Sequence, residues 1–369
     1  MKSILRKLLP SSLILKLKHK VNTFDEAIYP FFAKTQWLSS FYYCFLSTQF
    51  RREHQSVLQG RLQYQQSLNK IENSSVLLRR NTHRLEKGLI MKPRRLVFAE
   101  QYIDETVTCF SQCLNAPQLN HNELKWAQDV LVEYFSIVGS SLAIDKARQQ
   151  FNNLTLVDFS AGNSSAVSGI DSINGAVKSL PYNYANRVQS TVTHEQLFDL
   201  FKQRRSVRWY KQQKVEAALI DQAIEMAAQA PSACNRQPFQ FYTITNMDKA
   251  SDIASIAMGT AGFSDNIPAL IVVMGDLSAY PAERDRHVIY IDGGLAAMQL
   301  MLAFETLGLS SCPINWPDIE IYEKKMANKL ALPSHLRPIM LISVGYGNEK
   351  GQIPFSQKKS TSTLIKEVS

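Results

Sequence analysis

Two short runs, Ala269-Leu270-Ile271-Val272-Val273-Met274 and Ile339 to Val344, are apolar at nearly every position, where a half-buried strand would alternate apolar with polar. Strands of that kind must be covered on both faces, so the chain needs helices above and below a sheet. It supplies them. Val215 to Ala230 places Leu219, Ile220, Ala223, Ile224 and Ala227 on one helical face ahead of Pro231, and Gly293 to Leu307 is apolar almost all round, as a core or interface helix would be. Phe239 to Thr245 reads as a third strand, and Thr193 to Gln196 as a capping box opening a short helix that ends near Gln203.

The first half follows a different rule. From about Arg51 to Asn152 the pattern is helical, with Leu124, Ala127, Val130, Leu131, Tyr134, Phe135 and Val138 at three- and four-residue spacing in the stretch Glu123 to Phe151. Between Ser160 and Lys178, 11 of 19 residues are Gly, Ser, Asn or Asp, too little apolar surface to offset the entropy of ordering them. The expected division is a basic and aromatic arm over 1–60, a helical module over 61–158, a linker or long loop over 159–190, and an α+β domain over 191–369.

Charge is distributed as unevenly as pattern. Residues 1–100 hold 18 Lys and Arg against 6 Asp and Glu, 101–200 hold 5 against 10, and 201–369 hold 18 against 16, giving +12, −5 and +2. The overall +9 therefore does not describe the α+β half, and no nucleic-acid partner is expected, since the cations lack the context of a known binding module. Met1 to Val21 has six cations and no acid, but Pro10 and the lysines at 16, 18 and 20 interrupt any membrane-spanning core. It reads either as an amphipathic segment on an anionic membrane surface, with Tyr29 to Tyr43 adding aromatics, or as a basic arm packed on the protein or solvated. Five scattered cysteines and seven dispersed histidines suggest no disulfide framework or metal site and fit a reducing, cytoplasmic setting, peripheral to the inner membrane face if the arm binds lipid. Cys109 and Cys113, one helical turn apart, read as core residues.

Two clusters carry chemistry. Arg204-Arg205-Ser206-Val207-Arg208 follows the capped helix; in an extended strand Arg204, Ser206 and Arg208 would share a face suited to phosphate, although five such residues can equally be a solvated charge run. Ala230-Pro231-Ser232-Ala233-Cys234-Asn235-Arg236-Gln237-Pro238-Phe239 joins a helix to a strand through small residues and two amides, a loop that lets a flat ring approach.

In order and spacing these clusters resemble the paired signature of nitroreductase-fold flavoproteins. Asp292 to Ala297 running on to Gly308-Leu309, the loop Cys312-Pro313-Ile314-Asn315, and Gly345-Tyr346-Gly347 followed by Lys358-Lys359 agree as well. The resemblance covers about Glu195 to Ile365. It implies a three-layer α/β/α domain with a mixed central sheet, and FMN bound at a homodimer interface. Arg204, Arg205, Ser206 and Arg208 would hold its phosphate, ribityl chain and pyrimidine edge. Pro231, Ser232, Ala233, Asn235 and Gln237 would line the ring, the backbone of Pro313-Ile314-Asn315 would face N5, and Lys358 and Lys359 would close on the phosphate. It further implies NAD(P)H as donor and an electron-poor small-molecule acceptor, with Arg208 and the Asn315 backbone tuning the ring. The alternative keeps the flavin but not the turnover, as a scaffold docked on a membrane or biosynthetic complex. No G-x-G-x-x-G follows a strand, so no Rossmann site is expected. Ser264, Asp265 and Asn266 stand where the family often has a further polar or basic residue.

Thr82-His83-Arg84-Leu85-Glu86-Lys87-Gly88-Leu89 resembles a stretch in nitroreductase-like proteins with a long N-terminal extension, a group associated with polysaccharide biosynthesis. Its residues alone place His83 and Glu86 on one helical face and let Gly88 end the helix, which is also what a helix end with local salt bridges would show.

Overall fold

The computed structural model describes residues 27–68, 70–159 and 178–368, so the cationic segment 1–21 and the Gly/Ser-rich stretch 160–177 lie outside it. The chain divides into two compact units, Met1–Gln55 and Ser56–Ser369. The first holds helix α1, Gln36–Phe41, capped by the Thr35 hydroxyl, and a π-helical turn, Tyr42–Leu46. Helix α2, Arg51–Ser67, crosses the division.

In the second unit, α3 (Val76–Leu89), α4 (Ile103–Leu114), α5 (His121–Ile137) and α6 (Leu142–Asn152) bury one leucine-rich core that includes Leu78, Leu85, Phe110, Leu131 and Tyr134. The stretch 123–151 is two helices, because the Val138–Ser140 segment breaks the period and Ser141 caps α6 through its hydroxyl. Gly88 does not end α3; it lies inside the helix, where a Cβ would run into the Phe98 ring, and Ile90 is the cap. Cys109 and Cys113 are both buried, facing that core.

Helix α7, His194–Gln203, opens with the full capping box of Thr193 and Gln196. Next come α8 (Ala217–Ala227), β1 (Phe239–Ile244), α9 (Met247–Ala254), β2 (Ala269–Asp276), α10 (Val288–Thr306), β3 (Ser310–Asn315), α11 (Glu320–Leu330), β4 (Leu336–Gly345) and a final turn, α12 (Thr361–Leu364). The four strands form one sheet in the order β1-β2-β4-β3. Strand β2 shows why its sequence is apolar throughout: Ala269, Ile271 and Val273 pack under α8 and α10, while Leu270, Val272 and Met274 pack with α9 and α11 on the other face. The result is a three-layer α/β/α domain.

Two expectations about this sheet are corrected. Among the described residues its strand pairings are antiparallel and the parallel element is a bridge between Ser206 and Ser311, so the sheet is mixed at that contact. Cys312–Asn315 is not a loop but most of β3; Pro313 is tolerated there because β3 is an edge strand, whose outward positions need no N–H in the ladder. Helix α10 is apolar and long enough over Glu283–Thr306 to cross a membrane, yet half of that stretch is buried and Ala297, Leu300 and Phe304 belong to the core over the sheet.

The helical segment, with the end of the preceding arm, and the α+β domain lie in the second unit. Their contact explains it. Gly60 of α2 meets Leu277 so closely that a Cβ would lie 2.7 Å from the Leu277 Cβ, Val57 joins Leu277, Tyr280 and Ile289 in a small core, and Arg61 pairs with Glu283.

Candidate active site

The arginine cluster is built where α7 ends. Arg204 caps that helix, and the chain then turns tightly, Val207 N–H donating to Arg205 O at 3.0 Å and to Ser311 O at 3.0 Å. The segment is therefore not a continuous strand, and what brings its side chains together is the turn and the Ser206–Ser311 bridge. Arg204, Ser206 and Arg208 all act on the thiol of buried Cys312, whose pKa is pushed up by burial and held back by Arg208, Ser206 and Arg204. Arg208 donates to Ser206 O at 3.3 Å and lies 5.8 Å from the centroid of Phe263. Below it, the buried Tyr210 hydroxyl donates to Val207 O at 2.7 Å and meets Ser343 Oγ at 2.7 Å, pinning the turn to β4.

This end of the site is electrically incomplete. The Nε of Arg204 is buried without a partner, and so is one carboxylate oxygen of Glu305, whose pKa is raised by burial and opposed by Gln203 and Arg204. An anion beside Arg204 would satisfy the first of these, which is what a phosphate-bearing ligand supplies. Arg205 stands half-buried in the same turn. Asn266, which the sequence left without a role, donates to Arg208 O at 2.9 Å and so holds the turn.

The 231–237 loop is held mainly through its backbone, with the Nε of Arg236 buried and unpartnered. Cys234, Asn235 and Gln237 all have positive φ, near +50°, a conformation that costs a non-glycine residue roughly 1–3 kcal/mol unless its surroundings enforce it. They do. Ala233 N–H donates to Asp292 Oδ2 at 2.9 Å, Gln237 N–H to Ser232 Oγ at 3.0 Å, and Arg79 Nε–H to Asn235 O at 3.2 Å. The two amides expected at a ring edge engage each other, Gln237 Nε2 donating to Asn235 Oδ1 at 3.4 Å. Asp292 is buried, its pKa raised by that burial and opposed by the Ala233 N–H and the Tyr280 hydroxyl at 3.3 Å. Arg236 lies 5.0 Å from the Tyr280 ring centroid and donates to Ala279 O.

The nitroreductase family model matches this part of the chain over residues 201–264 and 248–346. Residues 201–346 form a nitroreductase-family domain. The chain is similar to the Bacillus subtilis protein YdgI, named as an NAD(P)H nitroreductase, with 28% identity over 190 residues, 42% of this chain and 89% of that one. It is similar to a Methanothermobacter thermautotrophicus protein named as an NADH dehydrogenase/NAD(P)H nitroreductase, with 26% identity over 162 residues, 44% of this chain and 83% of that one. Among solved structures, an FMN-dependent nitroreductase from Clostridium difficile matches at 26% identity over 43% of this chain and 92% of its own, with a TM-score of 0.38.

Within the nitroreductase domain the two clusters sit at opposite ends of α10. Asp292, which holds the loop, and Glu305, which neighbours Arg204, are thirteen residues apart on one helix, roughly 20 Å at 1.5 Å per residue. On the same helix Ile291, Leu295 and Met298 form an exposed apolar stripe at i, i+4 and i+7. Of the β3 residues, Ile314 is buried in the core with Met326 and Leu341, Pro313 is half-buried and Asn315 is exposed at the strand end. Lys358 and Lys359 lie on an exposed C-terminal segment. Two surface clefts, one lined by Gln212, Asp248 and Asp265 and one by Val207, Trp209 and Asn348, include none of the loop residues and neither Arg204 nor Arg208. Among the described residues no three His, Cys, Asp or Glu side chains converge as metal ligands.

The sequence reading missed the groups that hold the loop: Arg79, Glu123, Tyr280, Arg236 and the role of Asp292. Asp292 did carry a signal, as an acid in the otherwise apolar first half of the helix. Arg79 carried none, because its partner Asn235 is 156 residues away.

Proposed function

We propose that this protein is an FMN-dependent oxidoreductase that takes hydride from NAD(P)H and reduces an electron-poor small molecule, working as a homodimer with the cofactor between subunits. The observation that carries this reading is the separation of the two clusters' anchors along α10. Asp292, which holds the loop, and Glu305, which neighbours Arg204, are about 20 Å apart by helix rise, so a two-fold neighbour seated on the Ile291, Leu295 and Met298 stripe would bring the loop of one subunit to the arginines of the other. Arg204, with Arg205, Ser206 and Arg208, would hold the phosphate and the polar edge of the ring. Pro231 to Gln237 would cover the ring face, the Pro313 to Asn315 backbone would meet its reactive edge, and Lys358 and Lys359 would add charge at the phosphate. Bound FMN supplies a carrier that accepts a hydride and releases electrons to a second molecule. The chain's own part is to bind, orient and offset the negative charge that reduction brings, which falls to Arg208.

Subunit complementation tests this reading. An Arg208→Ala chain and a chain altered in the 231–237 loop, each inactive alone, should regain NAD(P)H oxidation when refolded together. No recovery in mixed dimers, or a purified protein that takes up no FMN, sinks it.

A second reading, a scaffold docked on a membrane, has its own support. In the first unit Trp37, Phe45, Phe31 and Leu46 are all more than half exposed, next to a sequence with six cations and no acid over Met1–Val21. We place this arm on the anionic inner face of the membrane of a cytoplasmic protein. Flotation with phosphatidylglycerol vesicles, lost at high salt and on deleting residues 1–50, is the expected result; flavin that NAD(P)H never bleaches would favour the scaffold over the enzyme. The link to polysaccharide biosynthesis rests on the Thr82–Leu89 resemblance, and altered polymer output on deletion of the gene is its test.

A further inference from the structure

The loop-holding arginine belongs to a larger array on the helical segment. Arg79, His83 and Glu86 of α3 stand at i, i+4 and i+7, one face of the helix. Arg79 pairs with the buried Glu123 of α5 at 3.1 Å, reaches Asn235 O, and lies 5.7 Å from the ring centroid of Trp126. The Trp126 indole N–H donates to Glu86 Oε1 at 3.0 Å, and the other oxygen of Glu86 lies 3.4 Å from His83 Nδ1.

An indole thus fixes a carboxylate, the carboxylate orients an imidazole, and the Nε2 of that imidazole has no partner among the described residues. The side chain of His83 is 32% exposed. A carboxylate on one ring nitrogen with the other nitrogen open is the arrangement that prepares histidine for proton transfer. The two other arginines of this helix are engaged elsewhere, Arg80 with Glu105 and Arg84 stacked 3.6 Å from the Tyr102 ring centroid. His83 is one helical turn, about 6 Å of rise, from the arginine that touches the loop.

We propose that His83 is the proton donor to the acceptor reduced at this site, with Glu86 and Trp126 as its positioning residues. The proposal rests on the flavin reading above. The acceptor class is a flat, electron-poor molecule whose carbonyl oxygen must be protonated as the electron pair arrives, a quinone or an enone, lying between the loop and the Arg79–His83 face. Its two-electron reduction adds one hydride and one proton. The electron pair comes from NAD(P)H by way of the cofactor, the Nε2–H bond of the His83 imidazolium breaks, the proton goes to the acceptor oxygen, and the neutral imidazole left with its proton on Nδ1 regains one at Nε2 from solvent.

The test uses the full-length FMN-loaded protein, wild type, His83→Gln and Glu86→Gln. Each is reduced anaerobically with NADPH or NADH and reoxidised either by menadione, which takes up protons, or by ferricyanide, which accepts single electrons and none. In His83→Gln, menadione reoxidation should slow by on the order of 10²-fold and lose its solvent deuterium isotope effect, while flavin content, reduction by nicotinamide and ferricyanide reoxidation stay at wild-type values. Glu86→Gln should show a smaller loss of the same kind. In the flavin-free protein, ¹⁵N shifts of the His83 ring should report a proton on Nδ1 and none on Nε2 in the neutral form, and a mixture of tautomers in Glu86→Gln. Unchanged menadione rates, or parallel losses with both oxidants, would overturn the role of His83. A wild type that nicotinamide cannot reduce would overturn the flavin reading beneath it.

Discussion

The two ends of α10 hold the two halves of the candidate site in opposite ways. At the Asp292 end the protein holds its own backbone: three residues with positive φ are fixed by Asp292, Ser232 and Arg79, and the Nε of Arg236 is the side-chain atom left buried without a partner. At the Glu305 end a guanidinium nitrogen and a carboxylate oxygen are buried without partners. Rigid backbone suits a planar ring, whose shape does not change; unsatisfied charge suits an anion, whose binding energy is electrostatic.

Substitutions at the two ends should therefore fail differently. The largest effect is expected from Arg79→Met, which leaves Glu123, only 3% exposed, buried without its cation and frees Asn235 O; removing one partner of such a pair costs about 3–5 kcal/mol. Thermal melting should fall markedly and flavin affinity with it. If the melting temperature holds, the loop is not held from the helical segment. Gly60→Ala comes next, because a Cβ would press on the Leu277 backbone 2.8 Å away and push α2 off the nitroreductase domain, at about 1–3 kcal/mol; limited proteolysis would show the loosened contact.

Arg204→Ala should reverse the pattern. It removes a guanidinium whose Nε is buried unpaired, so the cofactor-free protein should lose less stability than Arg79→Met does, whereas FMN retention through gel filtration should drop. A variant that unfolds without loss of FMN affinity would mean that Arg204 is structural.

The smallest effect is a pH dependence. Burial raises the Glu305 carboxyl above its unfolded value, so the folded state binds the proton more tightly than the unfolded state does. That term lowers stability as pH rises from the ordinary carboxylate range through the raised folded value, and is constant above it. Glu305→Gln should abolish the term, leaving a variant whose advantage over wild type grows through that window in denaturant titrations. An identical pH profile for the two proteins would contradict it.

Much of this was readable before any coordinates. The two apolar strands and the third at Phe239, the capping box at Thr193 and the helices of both halves follow from local patterns, because period and caps depend on residues within a few positions of each other. Strand β3 was not readable, since Cys312-Pro313-Ile314-Asn315 resembles a loop until β4 pairs with it. Nor was the union of the helical segment with the nitroreductase domain, which depends on the contacts of Gly60, Arg61 and Arg79 with residues far along the chain.

By itself the sequence determined that a sheet buried on both faces must exist, and which two short segments resemble the family's flavin clusters. Apolar surface and short-range geometry are written in the residues themselves. Only the tertiary structure decided that those segments are anchored near opposite ends of one helix, and that an arginine from the first half, neighbour to a tryptophan and a histidine–glutamate pair, holds one of them. Such meetings arise from packing between residues more than a hundred positions apart, and no local pattern encodes them.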